Sequence, residues 1–179
     1  MRISVPRDCI HGRRVLASIM PYLIEKHFLD ERGEELYLPC DILDERFAHV
    51  LVPLYIDALR LGVKLVEVGV DPGTARCGIA LAIGEEVIAT FTLPQQALAD
   101  FLGILKRYFE MRLYWGGAIE PEETIVEGIS DVVHVSEKDL PLVKLEHCGS
   151  SDHERDAVRI LVKGRLKLAN AKLREEIKD

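Results

Sequence analysis

One stretch decides the fold that we expect for this chain: Val68-Gly69-Val70-Asp71-Pro72-Gly73-Thr74-Ala75-Arg76-Cys77-Gly78-Ile79-Ala80. The segment 63–70 is almost continuously apolar, which predicts a strand buried inside a sheet. Asp71 follows this strand, and a second apolar segment begins at Cys77. Because Asp-Pro-Gly is also a favourable β-turn sequence, a turn without a chemical role explains Asp71 about as well as an active-site acid does.

The sequence after residue 62 predicts an α/β (α+β) domain that covers 63–179. The predicted strands are 63–70, 77–83, 86–93, 124–128 and 142–146, and the predicted helices are about 94–112 and 152–177. Gly84-Glu85 predicts a hairpin turn, and 129–140 has room for a loop or one helical turn. The order β-β-β-α-β-β-α indicates a sheet with helices packed on it.

Residues 1–62 show a different pattern and are expected to form a mainly helical N-terminal extension. Apolar residues recur at helical spacing over about 13–28 and about 43–61, so each helix should bury one face. The segment 35–39 between them predicts a short strand or an extended loop.

Composition excludes several classes of protein. The chain has 179 residues, of which 48% are hydrophobic and 30% are charged, so a core of ordinary size is possible. It contains no apolar run of about 18 residues for a membrane span and no apolar segment of a secretory signal. We therefore expect a cytoplasmic protein without a membrane partner. A net charge of −7 argues against a protein that coats nucleic acid through bulk positive charge.

The cysteines and the amide residues suggest a particular source. Cys9, Cys40, Cys77 and Cys148 include no C-x-x-C pair, which argues against a zinc knuckle and favours buried free thiols. Only Asn170, Gln95 and Gln96 carry side-chain amides, a depletion typical of hyperthermophiles. Since such organisms tolerate intracellular disulfides, a Cys9–Cys40 disulfide is a further hypothesis.

Three more residues complete a candidate site with Asp71. Glu127 ends the predicted strand 124–128; if that strand lies parallel beside the first, the two carboxylates approach at one sheet edge. An ordinary strand-end acid is the alternative for Glu127. His153 and Asp156 are spaced i, i+3 on one helix face. Their neighbours have structural explanations, because Ser151 and Glu154 match a capping box.

Together these elements resemble the RNase H-like (ribonuclease H/integrase) superfamily, and within it the RuvC-like nuclease branch. The branch signature G-[IV]-D-P-G-x-x-x-x-G is matched from Gly69 to Gly78. Its Glu at the end of the fourth strand is matched by Glu127. Its acid or His, followed by Asp-Ala at the start of the last helix, is matched by His153 and Asp156-Ala157. The resemblance covers about 64–170.

The resemblance implies a two-metal phosphodiesterase that uses Mg²⁺ or Mn²⁺. Asp71 would bridge both ions, and Glu127 and Asp156 would each bind one. His153 would bind an ion or transfer a proton. The implied substrate is nucleic acid, and DNA, including branched or junction DNA, is favoured over RNA.

Two features of the chain limit what the resemblance implies. RuvC resolvases insert a dimer-interface helix between the positions of Glu127 and His153, where this chain has only 25 residues. A homodimer therefore has no support from the family's usual interface. The last helix is locally basic, and its cations either contact phosphates or form a solvated face. The candidates for phosphate contacts are Arg155, Arg159, Lys163, Arg165 and Lys167.

Two other functions are compatible with the same residues. A binding or structural protein that kept the fold without catalysis agrees with the acidic charge and the shortened middle. Asp71-Pro72-Gly73-Thr74 also resembles the phosphate loop of sugar kinases and actin-like ATPases, although those proteins need two such lobes and a longer chain.

Overall fold

A computed structural model describes residues 2–26, 35–117, 120–141 and 151–177. The chain forms two compact units, Met1–Val63 and Lys64–Asp179. None of the helices in the described segments combines the length and the apolar character that a membrane crossing requires.

The first unit packs two helices beside a small parallel sheet. Its elements are strand β1 (Arg2–Ser4), helix α1 (Ile10–Glu25), strand β2 (Glu35–Tyr37), a 3-10 turn (Cys40–Leu43) and helix α2 (Ala48–Leu61). Strand β1 pairs with β2 in parallel, so the segment 35–39 contains a short strand. The interior consists of fully buried side chains that include Leu23, Leu38, Leu43, Leu51 and Leu54.

Both helices of the first unit differ from prediction at their starts. Helix α1 begins three residues early, at Ile10, and the predicted end at residue 28 lies outside the described residues. Helix α2 begins at Ala48 and not at 43. Asp44 causes this delay: its carboxylate accepts a hydrogen bond from the backbone N–H of Arg46 at 2.9 Å and forms a turn before the helix.

The second unit is a five-stranded mixed sheet with helices. Its elements are β3 (Leu65–Asp71), β4 (Arg76–Ile83), β5 (Glu86–Pro94), α3 (Leu98–Tyr108), β6 (Glu110–Gly116), α4 (Glu123–Val126), β7 (Asp131–Val135) and α5 (Asp152–Glu176). The strand order is β5-β4-β3-β6-β7. Strand β4 is antiparallel to β3 and β5, whereas β6 and β7 run parallel to β3.

The predicted helix 94–112 extends too far, because its last three residues belong to a strand. Helix α3 ends at Tyr108, and Glu110–Gly116 forms β6 beside β3. Phe109 fits the helical stripe, but the following residues also fit an alternating strand pattern, with Met111 and Leu113 buried. Both periods agree with so short an apolar run, and pairing with β3 decides between them.

The predicted strand 124–128 is also wrong. Glu123–Val126 forms the single-turn helix α4, and Gly128 follows with a positive φ of 76°. The next strand is Asp131–Val135, in a segment where we expected a loop or one turn. Val133 and Val135 of this strand are buried, and such β-branched residues favour the half-buried surface of a sheet. The predicted strand 142–146 lies outside the described residues.

Alternation along the strands assigns the two faces of the sheet. Gly69 of β3 and Tyr114 of β6 lie against α5, as do Ala80 and Ala82 of β4. The opposite face holds Phe91, whose ring stacks edge-on against Phe101 of α3 with centroids 5.3 Å apart. Because side chains alternate along a strand, Glu67 and Asp71 both lie on the α5 face with Gly69.

Candidate active site at the carboxyl edge of the sheet

The glycines of the segment 68–80 let α5 approach the sheet closely. A Cβ atom at Gly69 would clash with the carbonyl oxygen of Ala157, and one at Gly78 would clash with that of His153. Gly73 lies below the same helix, where a Cβ would be 3.2 Å from Cε1 of His153. The two motifs of the sequence, 69–78 and 153–157, are therefore in direct contact.

This contact brings Asp71 and His153 together. Nδ1 of His153 lies 2.5 Å from Oδ2 of Asp71, a charge-assisted hydrogen bond or ion pair according to the protonation of the ring. The Asp71 side chain is only 12% exposed, whereas that of His153 is 48% exposed. A buried carboxylate thus holds one nitrogen of an imidazole that remains accessible to solvent.

Glu137 is a site residue that the sequence analysis missed. It follows β7, and since β3, β6 and β7 are parallel, its position is at the same sheet edge as Asp71. A Cβ at Gly117, which has a φ of 83°, would be 3.0 Å from Oε1 of Glu137, so the side chain lies against the backbone after β6. Partial burial of the carboxyl group, then the negative charges of Asp71 and Asp156, raise the pKa of Glu137.

Asp156 is the third carboxylate at this edge, and its negative charge contributes to the raised pKa of Glu137. Its Oδ1 accepts a hydrogen bond from Nη1 of Arg159 at 2.8 Å, and its side chain is 37% exposed. Ser151 caps the helix, since its Oγ accepts the backbone N–H of Glu154 at 3.2 Å, the main half of the predicted capping box. We call Asp71, Glu137, His153 and Asp156 the acidic edge.

Glu127 lies elsewhere in the second unit. It is exposed at the end of α4, and its carbonyl oxygen accepts a hydrogen bond from Nζ of Lys106 of α3 at 2.7 Å. Its carboxylate would approach Asp71 from a parallel strand at 124–128, but this segment forms α4 and the turn after it. No signal in the sequence alone favoured Glu137, because its strand was not predicted.

The acidic edge does not form a closed ligand cluster. Among the described residues, one group alone has three potential ligand atoms within 4.8 Å of one another, and it is Cys9, His11 and Cys40 of the first unit. At the acidic edge only Asp71 and His153 are in direct contact. The carboxylates interact through space, as their mutual effect on Glu137 indicates.

A cleft of about 540 Å³ opens beside the acidic edge. It is lined by Pro72, Gly73 and Thr74 after β3, by Trp115 and Gly117 at the end of β6, and by Ile125 of α4. Glu137 and Cys77 also line it. Burial, and secondarily the charge of Asp71, raise the pKa of the Cys77 thiol, so this cysteine is a neutral wall residue and not a thiolate nucleophile.

The five basic residues of α5 that are candidates for phosphate contacts all have partners within the protein, whereas Lys172 and Arg174 of the same helix were not candidates. Arg155 contacts Asp152 and Arg159 contacts Asp156. Arg165 contacts Glu67 and the carbonyl oxygens of Gly84 and Glu85. Nζ of Lys163 donates to the carbonyl oxygens of Ser136 and Lys138, and Nζ of Lys167 to that of His134. The contacts of Lys163, Arg165 and Lys167 attach α5 to the sheet and its loops, whereas the two aspartate pairs lie within the helix.

No family model matches the chain, and searches of curated proteins and of solved structures likewise return no match. The assignment of a function therefore depends on the residues of the site.

Proposed function

We propose that the second unit is a divalent-metal-dependent phosphodiesterase that acts on nucleic acid, with an RNase H-like fold of the RuvC-like kind. The observation that carries this proposal is the acidic edge. Carboxylates from β3, from the loop after β7 and from α5 share one edge of the sheet, beside a half-exposed histidine and an open cleft.

The order of the elements supports the proposal. Apart from single helical turns, the described elements of the second unit follow one another as β-β-β-α-β-β-α, and this succession supports an RNase H-like fold. The signature glycines also have a physical reason, because Gly69 and Gly78 allow α5 to place His153 over Asp71. The glutamate of the family pattern is then best supplied by Glu137, since Glu127 lies at the end of α4.

The donor set fits Mg²⁺ or Mn²⁺. Both ions prefer carboxylate oxygens, and Asp71, Glu137 and Asp156 offer them at one edge. Burial, and after it the negative charges of Asp71 and Asp156, raises the pKa of Glu137, and a bound cation would offset the repulsion between these carboxylates. Asp71, on the central strand and almost fully buried, is the residue best placed to share two ions.

The chain's own groups would then divide the work of hydrolysis. Bound Mg²⁺ or Mn²⁺ would lower the pKa of a water molecule and balance charge on the phosphate. Asp71 holds Nδ1 of His153, which leaves Nε2 as the nitrogen that exchanges a proton with the attacking or leaving oxygen. The cleft beside Thr74 and Trp115 would receive the nucleotide next to the scissile phosphate.

A binding protein without catalysis is the second candidate. It is favoured by the ion pairs that already occupy Asp71 and Asp156, and by the internal partners of five of the seven basic residues of α5. Such a protein would use the cleft without a metal. DNA binding that is independent of divalent ions would identify it.

Metal-dependent cleavage tests the proposal directly. We expect the full chain to cleave single-stranded, flap or four-way-junction DNA with Mg²⁺ or Mn²⁺ and not with EDTA. The same ions should raise the free energy of unfolding, by about 2.7 kcal/mol at a hundredfold excess over Kd. Asp71→Asn should abolish both effects.

Matched controls separate the candidates. Asp139→Asn removes an exposed acid from the loop that follows β7 and should leave the metal effect unchanged. Cleavage that survives in Asp71→Asn, or the absence of any metal effect on cleavage and stability, would exclude the phosphodiesterase. A stability shift with ATP in place of the metal alone would support the ATPase-like alternative.

A further inference from the structure

A second group of potential ligands lies in the first unit, in residues that the proposed phosphodiesterase does not use. Cys9 precedes α1, His11 lies in its first turn, and Cys40 begins the 3-10 turn before α2. Their ligand atoms lie within 4.8 Å of one another. Cys9 and Cys40 form a disulfide, as the composition of the chain suggested, and their Cα atoms are 5.7 Å apart.

The imidazole of His11 lies against this disulfide. Its Nε2 is 3.7 Å and its Nδ1 4.0 Å from Sγ of Cys40. Cys9 is buried, Cys40 is half-buried and His11 is exposed, so the group is open to solvent on the histidine side. Gly12 makes this arrangement possible, because a Cβ there would clash with Sγ of Cys9 and with Leu43.

We propose that the first unit binds one Zn²⁺ ion through Cys9, Cys40 and His11 when the disulfide is reduced. Two thiolates and an imidazole are a ligand set that Zn²⁺ prefers, and a fourth, solvent-facing position remains for water. The negative charge of the thiolates is favoured at the N-terminus of α1. The Asp44 carboxylate adds negative charge beside the histidine. Its pKa is lowered chiefly by its hydrogen bond to Arg46 and slightly by His11.

The disulfide and the zinc site exclude each other. A dithiol reductant supplies two electrons and two protons, which break the S–S bond and give two thiols while the reductant becomes a disulfide. Zn²⁺ then displaces the two thiol protons. In a tetrahedral site with Zn–S bonds of about 2.3 Å the sulfur atoms stand about 3.8 Å apart, so the side chains must rotate away from the bonded arrangement.

Cobalt spectroscopy tests this site. The full chain is reduced with a phosphine, which is itself oxidised to the phosphine oxide with water as the oxygen source, and is then titrated with Co²⁺ and with Zn²⁺ under nitrogen. We expect one Co²⁺ per chain with a thiolate-to-cobalt charge-transfer band that Zn²⁺ abolishes. The oxidised chain should give no such band.

Two pairs of variants make the result specific. His11→Ala should weaken binding at least about tenfold, whereas His49→Ala, which removes another exposed histidine of the first unit, should not. Cys40→Ala should abolish the band, whereas Cys148→Ala should retain it. Since His11 is exposed, its variant tests the proposal even if Cys40→Ala does not fold. A reduced chain without the band, or equal affinity in His11→Ala and wild type, would overturn the zinc site.

Discussion

Strand β3 carries two buried carboxylates on the face that α5 covers, and their surroundings differ. Glu67 accepts hydrogen bonds from Tyr114 and, at 3.0 Å, from Nε of Arg165, and Arg112 lies 3.7 Å away. Asp71 lies four residues later on the same strand. Its carboxylate contacts the imidazole of His153, and its negative charge acts on Glu137 at the same edge of the sheet. The first carboxylate is compensated by two cations, whereas the second is crowded by further acids.

This difference would separate a structural charge, Glu67, from the cation-binding charge that we propose for Asp71. A buried charge that serves stability needs its hydrogen bonds and its counter-charge inside the protein, as Glu67 has them. A carboxylate that serves to bind a cation must keep part of its charge unbalanced in the free protein. Four experiments test whether Glu67 and Asp71 differ in this way.

Removal of the cation at Glu67 should have the largest effect on stability. Arg165→Leu leaves the buried carboxylate with one arginine at a longer distance, and we expect a loss of about 3 kcal/mol in the free energy of unfolding. Chemical denaturation measures it. Lys172→Leu, at an exposed position on the same helix, is the control and should change stability by less than about 0.5 kcal/mol. Equal effects of the two variants would mean that Glu67 does not depend on its ion pair.

Alkaline pH should weaken the same network. Burial, then the hydrogen bond to Glu67 and its charge, raise the pKa of Tyr114 from 10.0 to about 12. The fold therefore favours the neutral phenol, and this contribution is complete below pH 10 and is lost as the pH rises to about 12. A shift of this size corresponds to about 2–3 kcal/mol. The stability difference between wild type and Tyr114→Phe should shrink over this range, and a constant difference would contradict the assignment.

Asp71→Asn should change the metal-free protein much less than Arg165→Leu does. Asparagine keeps an oxygen that accepts a hydrogen bond from His153, and the half-exposed ring retains water, so we expect a loss of about 1 kcal/mol or less. Thermal unfolding in EDTA measures this effect. A loss as large as that of Arg165→Leu would show that Asp71 is a structural charge like Glu67.

Glu137→Gln should slightly stabilise the metal-free protein at neutral pH. The raised pKa means that the fold favours the protonated acid, so ionised Glu137 is unfavourable at pH 7 and the advantage of glutamine disappears below the ordinary pKa of 4.5. Because the residue is exposed, the gain is less than about 1 kcal/mol. The same variant should reduce the stabilisation by Mg²⁺ or Mn²⁺, whereas Glu127→Gln should alter neither quantity. The reverse outcome would restore Glu127 to the site.

Sequence patterns predicted the parts of the fold that depend on long or strongly marked segments. Strands β3, β4 and β5, their hairpin turn and helix α5 lie within a few residues of their predicted positions. The errors in the second unit fall between Phe109 and Val135, where apolar runs of two to five residues fit more than one period. There the start of β6 was assigned to a helix, α4 to a strand, and β7 to a loop or one helical turn.

The site follows the same division. The pairing of Asp71 with the start of α5 was predictable, because the glycines at 69 and 78 and the Asp-Ala pair at 156–157 are marked in the sequence. Glu137 was not, since its place beside Asp71 arises from the parallel pairing of β7 with β6, a contact between distant segments. The proposed zinc site was missed for a similar reason. Cys9 and Cys40 are 31 residues apart, and Cys9-x-His11 together with Cys40 matches no known ligand spacing.

Apolar period, turn residues and capping residues act locally, so they were sufficient to predict a mixed α/β unit with a carboxylate at the end of its central strand. Which other charges meet that carboxylate, and which basic residues of α5 remain for a ligand, depends on how the distant segments pack. Helical spacing places Arg165 and His153 on the long helix, but only its packing across the sheet sets one against Glu67 and the other against Asp71. Charge interactions depend on distance in space, and for these residues, 82 and 98 positions from their partners, the fold sets that distance.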